Sequence, residues 1–128
     1  MKILMVTTEY PPVKGGVAHY CQKLVGSLRN EGLKVSVVCN EAGSGGYTSI
    51  SPYNRHNSDV LIKAVEEFKP NVVHVQYEPG LYGIHLDPIN PRRTNTNIES
   101  FYHDCTLPIV TTFHSAYTFE QWMRLIVP

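Results

Sequence analysis

Short apolar runs that alternate with stretches of helical period are the feature that most limits the fold of this 128-residue chain. Residues 3–6 form a continuous apolar run that stops before a proline pair, which is typical of a strand buried on both faces. Similar runs occur at 35–38, 72–75 and 108–113. Between them, apolar residues recur at helical spacing. Alternating strands and helices predict an α/β fold with an open parallel sheet and helices on both faces.

Four helices are predicted from the pattern. The first follows Gly15-Gly16 and ends near Gly32, a residue suited to a left-handed helix end. The second is expected to be capped by Asn57 or Ser58 and to stop before Pro70, since proline disfavours helical geometry in the preceding residue. The third is predicted from Thr94 to Cys105, and the fourth has capping-box spacing between Thr118 and Gln121, carries Trp122, Leu125 and Ile126, and stops at Pro128.

Two long connections separate these elements. Residues 41–57 are rich in Gly, Ser, Asn and Tyr and have room for one short edge strand at Tyr47 to Ile50. Residues 77–93 are predicted to be irregular. A connection of that length in a single domain is more often functional than idle.

Composition narrows the class of protein. Eleven Lys and Arg balance eleven Asp and Glu, so we expect no nucleic-acid partner, because such proteins carry an excess of basic residues. The three cysteines form no C-x-x-C pair and are interpreted as buried, reduced thiols of a cytoplasmic protein. No histidines have metal-ligand spacing, so no metal site is expected.

Candidate site residues follow three of the predicted strands, because ligands of open parallel sheets bind beyond the carboxyl ends of the strands. Gly15 and Gly16 precede a helix N-terminus, where a ligand can approach the backbone and the helix dipole favours an anion. The alternative is a tight turn without a ligand. The sequence lacks both a Walker A loop and a G-x-G-x-x-G motif after the strand.

The other two loops carry different chemistry. Tyr77 and Glu78 combine an aromatic face with a carboxylate, which suits a sugar ring, although an ordinary exposed loop has the same composition. His114 directly follows the last predicted strand and precedes Ser115. An imidazole there can bind a hydroxyl or phosphate or exchange a proton near neutral pH. His74, flanked by valines, is better interpreted as a hydrogen-bonded core histidine.

With these motifs in order, the sequence resembles the N-terminal, Rossmann-like domain of family 4 (group 1) glycosyltransferases of the GT-B fold. The resemblance covers most of the chain. It rests on the opening strand with Glu9-Tyr10-Pro11-Pro12, on Gly15-Gly16-Val17, on Lys34 to Val38, on residues 70–78, and on residues 108–114.

The resemblance implies a retaining transfer of sugar from a nucleotide-sugar donor, which is a co-substrate, with no further cofactor and no metal. It implies that Gly15 and Gly16 lie close to the donor diphosphate and the acceptor, and that His114 contacts the transferred sugar. Tyr77 and Glu78, with Ser115, would bind substrate, the first two on the acceptor side. The acceptor would be a sugar, a lipid-linked sugar or a polysaccharide, and membrane contact is expected only of a full-length enzyme.

One departure from the family concerns activity. The nucleotide-binding half with its E-x7-E pair is missing, since no two glutamates stand eight positions apart. We therefore expect residues 1–128 to be a single incomplete acceptor-side domain that shows no turnover alone. Two alternatives stay open, a small flavodoxin-like or receiver-like binding module and a degenerate α/β domain without a ligand.

Overall fold

The computed structural model describes residues 1–87, 89–90, 94–115 and 118–126. Within these residues the chain forms six strands and four helices, with one short 3₁₀ turn at Pro79–Leu81. The strands are β1 (Lys2–Val6), β2 (Lys34–Val38), β3 (Val72–Tyr77), β4 (Ile84–Leu86), β5 (Thr94–Thr96) and β6 (Ile109–Phe113). The helices are α1 (Gly16–Asn30), α2 (Asn57–Phe68), α3 (Glu99–Asp104) and α4 (Phe119–Ile126).

Four strands form one parallel sheet in the order β2-β1-β3-β6. The register places Val6 beside Val38 and Val75, and Tyr77 beside Phe113. All four carboxyl ends therefore meet at one edge. The predicted α/β class with an open, Rossmann-like parallel sheet is confirmed.

Alternation along β1 divides the interior into two apolar cores. Ile3 and Met5 point toward α1, whereas Leu4 and Val6 point toward α2 and α3. Because β1 buries side chains on both faces, it needs an uninterrupted apolar sequence. The helices consequently lie on both faces of the sheet, as predicted.

The segment before β6 differs from the prediction. Residues 94–96 form β5, which pairs antiparallel with β4, and the third helix covers only Glu99–Asp104 instead of Thr94 to Cys105. Glu99 Oε1 accepts a hydrogen bond from the Thr96 backbone N–H at 3.1 Å, which holds the turn between hairpin and helix. The expected irregular 77–93 connection likewise contains the 3₁₀ turn and β4. Cross-strand pairing here overrides the local helical spacing.

The predicted cap of α2 is also wrong. Asn57 and Ser58 are buried, and the residue preceding the helix is His56, which makes no capping side-chain bond. The Asn57 side chain instead bonds the Ser51 backbone N–H and the carbonyls of Ser51 and Asn97. An asparagine that the sequence places at a helix start thus ties two loops together.

The predictions for the ends of α1 and α2 and for the start of α4 are confirmed. Gly32 has φ +87° just past α1, and α2 ends at Phe68, before Lys69. The Thr118 and Gln121 side chains bond each other's backbone N–H groups.

The predicted edge strand at Tyr47 to Ile50 is reduced to one bridge between Val38 and Tyr47. The side chains of Trp122, Leu125 and Ile126, and Pro128 itself, lie outside the described residues.

The cysteines follow the prediction in part. All three are free thiols, and Cys21 and Cys39 are buried, but Cys105 is partly exposed. Within the described ranges, no helix has the length and apolar character required to traverse a bilayer.

Candidate functional site

The candidate site lies where β1 and β3 end side by side. The chain leaves β1 toward α1 on one face of the sheet, and it leaves β3 toward α3 on the other face. Divergent connections open a crevice at the carboxyl edge of a parallel sheet, which is where such folds bind ligands. Two hydroxyls join the loops there. Thr8 donates to the Leu81 carbonyl at 2.6 Å, and the buried Tyr82 hydroxyl lies 3.3 Å from the Val6 carbonyl at the end of β1 and 2.7 Å from the Gln76 carbonyl.

The N-terminus of α1 contains a carboxylate that the motif analysis did not place there. Glu9 Oε2 accepts a hydrogen bond from the Ala18 backbone N–H at 3.3 Å, so it neutralises part of the positive end of the helix dipole. A Cβ at Gly15 would overlap this carboxylate, whereas a Cβ at Gly16 would meet nothing within 4 Å. A Cβ at Gly15 would therefore displace the end of the flexible Glu9 side chain, and Gly16 leaves open space at the rim.

A pocket of about 300 Å³ lies against the same loop. It is lined by Pro11, Pro12, Val13, Lys14, Gly15 and His19. Lys14 and His19 in this lining have basic side chains, and Glu9 of the same loop has a carboxylate. The loop is thus electrostatically mixed, in contrast to the simple anion site expected from two glycines.

His114 is held by a buried amide. Its Nε2 lies 2.7 Å from Oε1 of Gln76, and the Gln76 side chain is fully buried on β3. The Gln76 Nε2 donates to Met5 Sδ at 3.3 Å on β1. The His114 backbone N–H also bonds the Tyr77 carbonyl at 2.9 Å. The imidazole is therefore fixed at the end of β6 by contacts with β3.

A ring contact connects His114 to the glycine loop. Tyr20, in the second turn of α1, packs edge-on against the His114 imidazole with ring centroids 4.9 Å apart. Gly15, Gly16 and His114 consequently share one edge and one face of the sheet, although they come from strands that are separated by β3.

Tyr77 and Glu78 do not join this group. Tyr77 follows Gln76 on β3 and so points to the opposite face, where it stacks on Tyr82 with ring centroids 6.0 Å apart. Burial raises the pKa of Tyr77 above its ordinary 10.0. The Glu78 carboxylate folds back over its own loop, 2.8 Å from where a Cβ on Gly80 would lie. Ser115 adjoins His114, and its buried Oγ has no hydrogen-bond partner among the residues that the structure describes.

Two further pockets lie on that opposite face. One, of about 380 Å³, is lined by Tyr77, Glu99, Tyr102, Thr111 and Phe113. The other, of about 520 Å³, is lined by polar side chains of α2, α3 and the β4–β5 hairpin, among them Ser58 and Asp104. Hydrogen bonds from His103 and Ser58 lower the pKa of Asp104. Across the described ranges, no three His, Cys, Asp or Glu side chains are grouped to hold a metal ion.

Motif reasoning missed three residues that shape the site, namely Glu9, Tyr20 and Gln76. One signal was available, since Gln76 is a polar residue in a strand that is otherwise mostly apolar. A buried amide usually has partners on both sides, so it marks a structural connection. Neither the contact of Glu9 with α1 nor that of Tyr20 with His114 has a local sequence signature.

Comparison with known proteins adds no assignment. No family model matches the sequence, and no curated protein matches it.

Proposed function

We propose that this chain is the acceptor-side, Rossmann-like domain of a retaining glycosyltransferase that uses a nucleotide-sugar donor. The observation that supports the proposal best is the convergence of the Gly15-Gly16 loop and His114 at one edge of the sheet, with Tyr20 between them. This arrangement brings backbone N–H groups and an imidazole to the same crevice.

The reaction would use these groups in different ways. Breaking the bond between a sugar and a phosphate places positive character on the sugar ring and negative charge on the departing phosphate, so donors aimed at that phosphate stabilise the transition state. Backbone N–H groups at the start of α1 would supply such donors. His114 would contact the sugar, and the departing diphosphate is weakly basic, so a pair of catalytic carboxylates is less necessary than in glycoside hydrolysis.

The Glu9 carboxylate favours a second candidate, a degenerate α/β domain without an anionic ligand. By accepting the Ala18 N–H, Glu9 occupies part of the α1 N-terminus and repels anions from it. The two candidates differ in one measurable property, which is whether nucleotide diphosphates bind near Gly16.

The test is an NMR titration of the ¹⁵N-labelled chain with UDP, GDP and their sugar conjugates. We expect shifts that saturate at the Gly15 and Gly16 amides with each nucleotide that binds, and additional shifts of the His114 ring only when the sugar is present. The absence of chemical-shift changes at all three residues with every nucleotide would contradict the proposal and favour the degenerate domain.

Two matched alanine variants separate ligand approach from folding. At both Gly16 and Gly26 an added Cβ meets nothing within 4 Å, and both residues lie on α1. We expect Gly16→Ala to weaken nucleotide binding severalfold, since its methyl group enters the crevice, and Gly26→Ala to leave binding unchanged. Equal affinities for the two variants would count against a ligand at this loop.

A further inference from the structure

We propose that Met5 and Gln76 are positioning residues that fix the tautomer of His114, so that its Nδ1 is the ring atom offered to a ligand. The role assigned to the ligand rests on the proposed function. The tautomer itself does not, because it is a property of the ligand-free chain.

The first step concerns the Gln76 amide, which is fully buried between β1 and His114. A thioether sulfur accepts hydrogen bonds and has no proton to donate. Met5 Sδ, 3.3 Å from the amide nitrogen, therefore favours the orientation in which the Gln76 N–H group points toward β1. The amide oxygen is left to point toward β6.

The orientation of the Gln76 amide in turn determines where the proton lies on His114. A carbonyl oxygen only accepts hydrogen bonds, and Gln76 Oε1 lies 2.7 Å from His114 Nε2. The neutral imidazole must then carry its proton on Nε2, which leaves the lone pair on Nδ1. Tyr20 packs edge-on against the ring and restricts its rotation from the α1 side.

The sheet register makes this connection possible. Met5 pairs with His74 and Gln76 pairs with Thr112, so each partner lies two residues further along the neighbouring strand. Met5, Gln76 and His114 therefore form a diagonal across three strands on the face that carries α1.

The tautomer determines which kind of ligand group His114 can bind. A neutral His114 offers an acceptor at Nδ1, and no described residue donates to that atom. A sugar hydroxyl is a donor and fits it, whereas a phosphate oxygen has no proton to give. Under the proposed function, the donor that Nδ1 accepts from would be a hydroxyl of the transferred sugar.

The tautomer is measured by long-range ¹H–¹⁵N NMR of the His114 ring in the ligand-free chain, at a pH where imidazoles are neutral. We expect a pyrrole-type Nε2 and a pyridine-type Nδ1. A proton on Nδ1 would overturn the proposal. Because a free imidazole in water also prefers the proton on Nε2, variants provide the sharper test.

Met5→Leu conserves side-chain volume but removes the sulfur, so the amide can turn. We expect the ratio of Nε2–H to Nδ1–H tautomers to fall about fivefold, the change that corresponds to about 1 kcal/mol for one neutral hydrogen bond. Ile3→Val, on the same strand and face, is the control and should leave the tautomer unchanged.

Folding is checked by the amide spectrum of each variant. An unchanged ratio in Met5→Leu would show that the connection plays only a packing role. In the ligand titration, Met5→Leu should weaken the affinity for UDP-sugars more than the affinity for UDP. If the wild-type chain binds no nucleotide, the proposed function is contradicted, but the measured tautomer of His114 is unaffected.

Discussion

Gly15 and Gly16 are adjacent in the chain, yet their surroundings differ. The first is confined by the Glu9 carboxylate, and the second borders open space. A side chain at Gly15 would displace the flexible end of Glu9, whereas one at Gly16 would enter the open space of the crevice. The sequence motif cannot distinguish them, because the carboxylate that confines Gly15 approaches from the loop after β1.

Glu9 yields the first residue-scale prediction. Glu9→Gln keeps an oxygen that can accept the Ala18 N–H and removes the negative charge. If charge near a helix terminus contributes about 0.3–1 kcal/mol, the variant should bind inorganic phosphate and UDP about two- to fivefold more tightly. Isothermal titration of both proteins measures this, and equal or weaker binding by the variant would contradict a ligand at the α1 N-terminus.

Gly83 gives a second prediction at this scale. Its φ is +71°, and an added Cβ would overlap the Pro52 carbonyl oxygen. Left-handed backbone costs a residue with a side chain roughly 1–2 kcal/mol, so Gly83→Ala should lower the free energy of unfolding by at least about that amount. Urea denaturation provides the measurement. A variant as stable as the wild type would show that this turn relaxes.

Among the helices, α1 is predicted well from its local apolar pattern, and α3 is not. The apolar stripe of α1 is long and buries Ala18, Cys21 and Val25, so its period predicts it well. The third predicted helix has only a short apolar pattern, and pairing of β4 with β5 removes its first half. Short segments are decided by the partners they meet, because few local hydrogen bonds oppose a change.

A glycine in the middle of α1 is expected to lower the stability of the helix. Gly26 lies in the helix interior, and a Cβ there would meet nothing within 4 Å. Gly26→Ala should raise the free energy of unfolding by about 0.5–1 kcal/mol, because alanine loses less backbone entropy than glycine on forming a helix. The same urea experiment that finds Gly83→Ala destabilising should find this variant stabilising. A fall in stability would indicate a contact at Gly26 that the structure does not contain.

For the whole molecule, buried thiol and phenol groups make the free energy of unfolding depend on pH in alkaline solution. Burial raises the pKa of Cys21 from 9.0 to about 12 and raises that of Tyr82 well above 10.0. Above about pH 9 the unfolded chain loses protons that the folded chain keeps, so the free energy of unfolding falls as pH rises. Urea midpoints between about pH 8 and pH 11 should show this decline.

Cys21→Ala tests the assignment of that decline. Removing the thiol lowers stability at every pH through the lost packing, but it should flatten the dependence on pH above about 9. A stability that is constant with pH in the wild type, or an identical slope in the variant, would contradict the burial of an ionisable thiol at this position.

The sequence by itself determined the α/β class, the four strands of the parallel sheet and the positions of the loops that follow them, because these depend on apolar period and on glycine and proline. Tertiary structure decided which side chains meet. Whether Gln76 contacts His114, whether Tyr77 faces away from it, and whether Glu9 covers the start of α1 depend on strand order, register and side-chain direction. Those contacts join residues far apart in the chain, and no local pattern records them.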